Sequence, residues 1–213
     1  MPVQSLSAED RRLAHKEQRR EDLIKAALDV FSRVGFASAK LDDVAEEAGV
    51  SKGTIYLYFD SKEALFEDVV RTQLLPVIEQ AEARLSQFQG SAADMLRQQL
   101  AFMYNKVVSE DRRVVMRLII AEGPNFPALT EFYYKTVLAR GMTATRKIIE
   151  YGVQTGEFRQ MGGDTLALNV MAGAVAAGIW AQVFQPHHPL DLDVYSQTHI
   201  DLILGGLCVR NED

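Results

Sequence analysis

The stretch GFASAKLDDVAEEAGVSKGTIYLYFDSKEALF, from Gly35 to Phe66, decides how this 213-residue chain folds. Leu41, Val44, Ala45 and Ala48 fall at three- and four-residue spacing, the mark of a short helix with one apolar side, and Gly49 ends it. Ser51 suits the cap of a third helix, with Val50 and Ile55 spaced to staple its entry. Asp60 or Ser61 caps a fourth, whose apolar positions continue through Leu65, Phe66, Val69 and Val70. Two short helices joined by Ala48-Gly49-Val50 outline a helix-turn-helix.

The third helix carries the chemistry. Ser51, Lys52, Gly53 and Thr54 are small, or long and polar, which suits a helix N-terminus brought against base edges in a major groove. Gly53 costs its helix roughly 1 kcal/mol relative to Ala, a cost easiest to explain if the backbone must approach another surface closely. Tyr56 and Tyr58 offer hydroxyls that bond phosphate without carrying charge. Lys62 opens the next helix, where free N–H groups already favour an anion.

These residues strongly resemble the DNA-binding head of the TetR family of transcriptional regulators, and the run from Ala48 to Leu65 carries most of the likeness. The resemblance implies an all-helical homodimer, with the head on operator DNA and a divergent C-terminal domain holding an inducer. It implies that Lys52, Thr54 and Tyr56 contact the operator from the recognition helix, while Tyr58 and Lys62 meet the DNA backbone. Ile55 and Phe59 fall where the family packs its head. One departure stands out: Ala39-Lys40 replaces the Thr-Thr common before the second helix. Lys40 can reach phosphate as a point charge, and Ser38 is a candidate for part of the missing cap.

Upstream, Leu23, Ala27, Val30, Phe31 and Val34 form one apolar stripe that Gly35 stops. Ser7, or the charged run near Arg19, marks its start, so residues 1–16 are expected to form a flexible basic arm. Arg11, Arg12, Lys16, Arg19 and Arg20 are either extra phosphate contacts or a solvated surface, interleaved with Glu17, Glu21 and Asp22. The expected DNA-binding domain is 17–65, followed by a sensing and dimerisation domain over 66–213.

Downstream the helices lengthen, giving an all-α fold of about nine in total. The fourth runs on to about Phe88 with Pro76 kinking or breaking it, and Ser91 with Asp94 begins a fifth reaching Val108. A sixth covers residues 112–121 before Gly123-Pro124, and Pro127 opens a seventh that stops at Gly156. Asp164 caps an Ala- and Gly-rich eighth ended by Pro186; Asp191 or Asp193 opens a ninth ended by Gly205-Gly206.

Charge supports this division of labour. The net charge is −6, yet residues 11–62 hold ten Lys and Arg against nine Asp and Glu, so DNA contact belongs to the N-terminal quarter. Cys208 stands alone, which excludes an intrachain disulfide and suits the cytoplasm. The first residues lack a secretory apolar core. Residues 165–184 are nearly long enough to span a bilayer, but they are rich in Ala and Gly and lack flanking Lys or Arg, so no membrane partner is expected. Enzyme signatures are missing: there is no G-x-S-x-G, H-E-x-x-H, Walker or dinucleotide loop. No catalytic residue, cofactor or metal is expected, since His187-His188 beside Asp191 do not define a metal site.

In the body, Phe102, Met103, Met116 and Ile120, with Phe126, Tyr133, Tyr134 and Trp180, are candidates for an apolar effector cavity. Arg117, Glu122 and Asn125 are candidate polar fixing groups. Residues 117–127 resemble a segment of one TetR branch, which does not identify a ligand. On the eighth and ninth helices, Met171, Gly173, Ala174 and Val175, with Gly178, Ile179 and Ile203, are the candidate dimer interface. The expected function is a repressor released from a palindromic operator by a small, largely apolar molecule. The alternatives are a regulator of the same fold controlled by a protein partner, and a helical binding protein whose head has lost DNA recognition.

Overall fold

The computed structural model describes residues 7–107, 110–162 and 165–209. Among these, nine helices account for the fold: α1 (Ala8–Ser38), α2 (Leu41–Glu47), α3 (Lys52–Ile55), α4 (Lys62–Gln87), α5 (Ala92–Val107), α6 (Glu110–Glu122), α7 (residues 127–154), α8 (Thr165–Val183) and α9 (Leu192–Leu207). Within α7 a π-helical turn, Tyr134–Leu138, separates Pro127–Tyr133 from Ala139–Gln154. A short 3₁₀ turn, Gly123–Asn125, links α6 to α7.

The first helix starts earlier than its apolar stripe suggests. Ser7 Oγ accepts the Asp10 N–H at 3.1 Å, and the Asp10 carboxylate accepts the Ser7 N–H at 3.1 Å, so a reciprocal cap closes the N-terminus. Glu9 and Asp10 also complement the helix dipole. Residues 8–16 are therefore helical turns rather than a flexible arm, and residues 1–6 of that expected arm lie outside the described residues. Gly35 interrupts the helix with φ +79°, a backbone conformation that a side chain would strain. The cap of α2 comes from Asp43, whose carboxylate accepts the Lys40 N–H at 3.0 Å. Ser51 and Ser61 cap α3 and α4 through bonds from the N–H groups of Thr54 (3.2 Å) and Ala64 (3.1 Å).

Head and body share one apolar core. Leu23, Phe31, Phe36, Val44, Ile55 and Phe66 cluster with Val115 and Leu118 of α6 and with Leu129 and Val137 of α7. The expected domain boundary between residues 65 and 66 falls inside α4, which passes unbroken from one part to the other. Pro76 sits within α4; it cannot donate to the preceding turn, and the nearby Gln73 carbonyl accepts a bond from Arg112 Nε at 3.0 Å.

A second core forms from α5, α7, α8 and α9 around Leu96, Leu100, Ile148, Val170, Ala174 and Leu204. The link after α7 is tied to the start of α5 and to the end of α9, at one end of this bundle. The Glu157 carboxylate accepts the N–H groups of Ala92 (3.0 Å) and Ala93 (3.3 Å) at the start of α5. Those bonds, the one from Ala92 foremost, hold its carboxyl below the usual range. Phe158 closes over Gly152, where a Cβ would lie 2.2 Å from the ring, and pairs with Cys208 in an isolated β-bridge. This pairing begins only after α9 has run through the expected Gly205-Gly206 stop to Leu207, one residue further. Asp191 caps α9, whereas the expected α8 cap at Asp164 lies outside the described residues.

Inside this bundle the His199 ring of α9 lies against Gly173 of α8 and edge-on to Tyr104 of α5, with ring centroids 5.9 Å apart. Burial pushes its pKa below the ordinary value, and its Nδ1 has no hydrogen-bond partner. The unfolded chain then binds this proton more readily than the folded one. The stabilisation is complete above about pH 6.5 and is lost as the pH falls below it. Lowering the pH from about 7.5 to 5.5 is therefore expected to lower the melting temperature, and less so in His199→Gln. Equal losses in both proteins would remove His199 as the source.

Candidate nucleic-acid interface and body cavity

The turn after α2 and the cap of α3 leave one short face of the head open to solvent. Lys40, Ser51, Lys52, Gly53 and Tyr56 are exposed, while Thr54 and Tyr58 are half-buried. The helical continuation past Ile55, with Tyr58 and Phe59 both donating to the Ile55 carbonyl at 3.0 Å, puts Tyr56 one turn beyond Lys52 and Leu57 one turn beyond Gly53. Leu57 is the residue that sequence reasoning missed. It is 80% exposed, the most exposed large apolar side chain of the described head, and it has no partner in the protein core. The available signal was a leucine at an outward position between two tyrosines. A Cβ on Gly53 would meet nothing nearer than Ser51 Oγ at 3.9 Å, so no packing within the chain demands glycine there.

Three of the candidate contacts are already engaged. Lys52 Nζ pairs with Asp42 at 2.7 Å, and this pair raises the lysine pKa. The pair is exposed to solvent, so it is weak and yields easily to a phosphate. Thr54 Oγ1 lies 2.8 Å from Ser51 Oγ, inside the cap. Lys62 departs furthest from expectation. Its ammonium donates to the carbonyls of Phe36 (2.6 Å) and Ala37 (3.0 Å) and sits 4.6 Å from the Phe36 ring centroid. Lys62 thus holds the α1–α2 turn against α4 rather than pointing at a ligand. Among the basic residues of α1, Arg20 pairs with Asp68 and lies over Phe59, while Arg11, Arg12 and Lys16 are exposed.

The other side of the same turn is held by the body. Beyond Gly35 the N–H groups of Phe36 and Ala37 form a small anion-binding nest, and the Glu122 carboxylate fills it at 2.6 and 2.5 Å. Five residues earlier on α6, Arg117 donates to the Ser32 carbonyl of α1 at 2.6 Å. Both were candidate ligand-fixing groups; the structure gives both to the head.

Between α4, α5, α6, α7 and α8 lies a cavity of about 90 Å³. Phe102, Met103, Met116 and Tyr133 line it, as the sequence suggested, and burial pushes the Tyr133 phenol up to about 12. The other candidates lie elsewhere. Ile120 and Tyr134 face solvent, Phe126 packs edge-on against Phe36 (4.9 Å), and Trp180 meets Phe184 with tilted rings (5.0 Å). The missed wall is the inner face of α4, Leu74, Val77, Ile78, Ala81 and Glu82, facing Val137, Arg140 and Ala144 of α7.

The residues expected at a dimer interface largely turn inward. Met171, Ala174 and Val175 line the cavity, Gly173 lies against His199, and Gly178 lies against Met116, where a Cβ would stand 2.5 Å from its methyl group. Ile203 is half-buried in the second core, and Ile179 alone of the seven faces out. The small residues serve close packing within one protomer. The open apolar stripe of α8 is instead Leu168, Ala172, Ala176, Ile179 and Val183, and α9 likewise exposes Val194 and Leu202. By length and hydropathy α8 could cross a membrane; its other face is buried in the bundle.

Comparison with known proteins agrees with this geometry. Residues 23–69 match the model of bacterial regulatory proteins of the tetR family, and residues 94–194 match the C-terminal domain of AefR-like transcriptional repressors. The chain is 25% identical to the HTH-type transcriptional repressor KstR2 of Mycolicibacterium smegmatis over 92% of its length and 93% of that protein. It is 28% identical to the HTH-type transcriptional repressor NicS of Pseudomonas putida over 70% and 69% of the two chains. Its fold superposes on the transcriptional regulator FadR of Bacillus subtilis in complex with stearoyl-CoA with a TM-score of 0.72, at 20% identity, covering 87% and 98% of the two chains.

Proposed function

Since the chain belongs to the TetR family of transcriptional regulators, we propose that it acts as a homodimeric repressor whose α3 helices read a palindromic operator, and that a small molecule in the body cavity releases it. The observation that carries this reading is the outward face of the head. Lys52, Gly53, Tyr56 and Leu57 are exposed with no packing to explain them, at the spacing of one helix side. Lys52, Lys40 and Tyr56 supply groups for phosphates and base edges, and Leu57 supplies an apolar surface suited to a thymine methyl. Near-neutral charge in the head makes affinity depend on these few groups, doubled by a partner whose second α3 lies one helical turn away, roughly 34–36 Å. The protein works by binding alone, in the cytoplasm where its operator lies.

Release follows from the cavity walls. At about 90 Å³ the cavity is smaller than the roughly 300–1,000 Å³ of ordinary ligand sites, so an occupied body must move α4 away from α7 and α8. The first turn of α4 belongs to the head core, and α6 carries Met116 in the cavity wall beside Arg117 and Glu122 on the head. Either helix transmits the displacement, provided the effector binds the displaced state better.

Gly53→Ala tests the reading. The variant is expected to fold with equal or slightly greater stability, by up to about 1 kcal/mol, because its new methyl meets open space. Binding to a duplex selected from a random library should weaken about tenfold or more, because the methyl stands between backbone and DNA. Selection that enriches no palindromic sequence, or full affinity in Gly53→Ala, would remove α3 as the operator reader.

A further inference from the structure

The effector cavity proposed above has one feature that apolar packing does not explain. Its only charged wall residues among the described chain are Glu82 of α4 and Arg140 of α7. The guanidinium holds the carboxylate with two bonds, Nε to Oε1 at 2.9 Å and Nη2 to Oε2 at 2.6 Å. The pair stands at a boundary: Glu82, Arg140 and Ala144 line both the inner cavity and an outer groove of about 480 Å³, to which Thr143, Lys147 and Tyr151 contribute. Inside is an apolar chamber walled by methionine, phenylalanine and branched side chains; outside is a basic, hydroxyl-bearing channel. The ion pair is also a strap between the helix that leads to the head and the helix that backs the cavity.

We propose that the effector is an amphipathic anion, whose apolar chain enters the cavity while its carboxylate or phosphate takes the place of Glu82 on Arg140. This rests on the reading of the cavity as the effector site. The planar guanidinium fork accepts any carboxylate or phosphate in the two-bond geometry that Glu82 now uses. A neutral apolar molecule would offer Arg140 nothing in place of Glu82, so the strap would oppose the parting of α4 from α7 that filling the chamber requires. A cation would have to draw Glu82 from a permanently charged arginine and leave that arginine with no bonded carboxylate, only the nearby charge of Glu79, beside Lys147. An incoming anion keeps Arg140 paired and frees Glu82 to turn toward Lys147 in the groove. Releasing α4 from α7 is then the same event as binding the head group, which supplies the differential affinity that a switch requires.

The test uses the full-length protein bound to its selected operator duplex, with decanoic acid, 1-decanol and decanoyl-coenzyme A as probes. Calorimetry should show the acid or the thioester binding at least about tenfold more tightly than the alcohol, with release of the duplex following in the same order. A free acid that wins places the carboxylate on Arg140; a thioester that wins assigns that place to its phosphates. In Arg140→Gln the ratio of anion to alcohol affinity should collapse toward one. In Glu82→Gln, where the resident competitor is weakened, the anion should bind more tightly and release the duplex at a lower concentration. Acid, thioester and alcohol binding equally, with the ratio unmoved in both variants, would overturn the anionic class and leave the cavity reading standing. Failure of all three probes to bind or release would overturn the cavity reading and this inference with it.

Discussion

Ala176→Arg combined with Leu202→Arg is expected to yield a folded monomer whose operator affinity has fallen by a factor of about 10²–10⁴. Both side chains face solvent in the protomer, Leu202 with 71% of its surface exposed, so the substitutions cost the fold little. They belong to the apolar side chains that α8 and α9 leave exposed, with Leu168 57% exposed and Val183 and Val194 also open to solvent. Exposed apolar side chains of this kind on two helices suit burial against a second copy of the chain. An isologous pairing would bring all four arginines into one apolar seam, where the unpaired charges would lose their water. Losing the pairing removes the second head from the operator, and with it the effective concentration that links two weak contacts into one strong one. Sedimentation and gel-shift at fixed salt check both halves. A dimer that persists, or a monomer that binds at full affinity, would exclude this face as the interface.

Phe36→Ala is expected to destabilise the whole protein by about 3–5 kcal/mol, the usual loss for a fully buried aromatic. Phe36 meets Phe31 at 5.5 Å, Phe66 at 5.4 Å and Phe126 at 4.9 Å between ring centroids, so it joins α1, α4 and the entry to α7. It also carries the Lys62 ammonium over its face. Because head and body share that core, the loss should appear as one cooperative transition shifted downward by roughly 6–20 °C. An early transition confined to the head, or a loss below about 1 kcal/mol, would show that the two parts fold independently. Phe36→Leu, which keeps most of the volume, should lose markedly less.

The head was legible because its signals are local. Ser51 caps over three residues, Gly35 breaks α1 and Gly49 ends α2, and Ile55 and Phe59 face inward at helical spacing; all are read from neighbours in sequence. Helix order and number in the body were legible on the same grounds. What escaped depends on which side of a helix meets which neighbour. Nothing local distinguishes Ile120, exposed on α6, from Met116 one turn earlier, which lines the cavity. The glycines of α8 were read as a surface for another chain, yet Gly173 makes room for His199 and Gly178 for Met116 in the same chain. Small residues show that something packs closely, without showing what. Lys62 and Glu122 were read as ligand groups because both are charged at helix ends; their partners lie 26 and 86 residues away and emerge only once the chain is folded.

The turn at Phe36 and Ala37, with a carboxylate on its amide side and an ammonium on its carbonyl side, bears on how such regulators can be recombined. A head of this kind is not a freely exchangeable cartridge. Transplanted onto a foreign body, it would keep Lys62, which travels within the first turn of α4, but would lose Glu122, which stays behind on α6. Hybrid sensors built from this chain therefore need their junction drawn through space, with an acidic residue retained where α6 ends, as well as along the sequence. Grafts that respect only the sequence border would inherit the reading face without the contact that ties it to the sensing body.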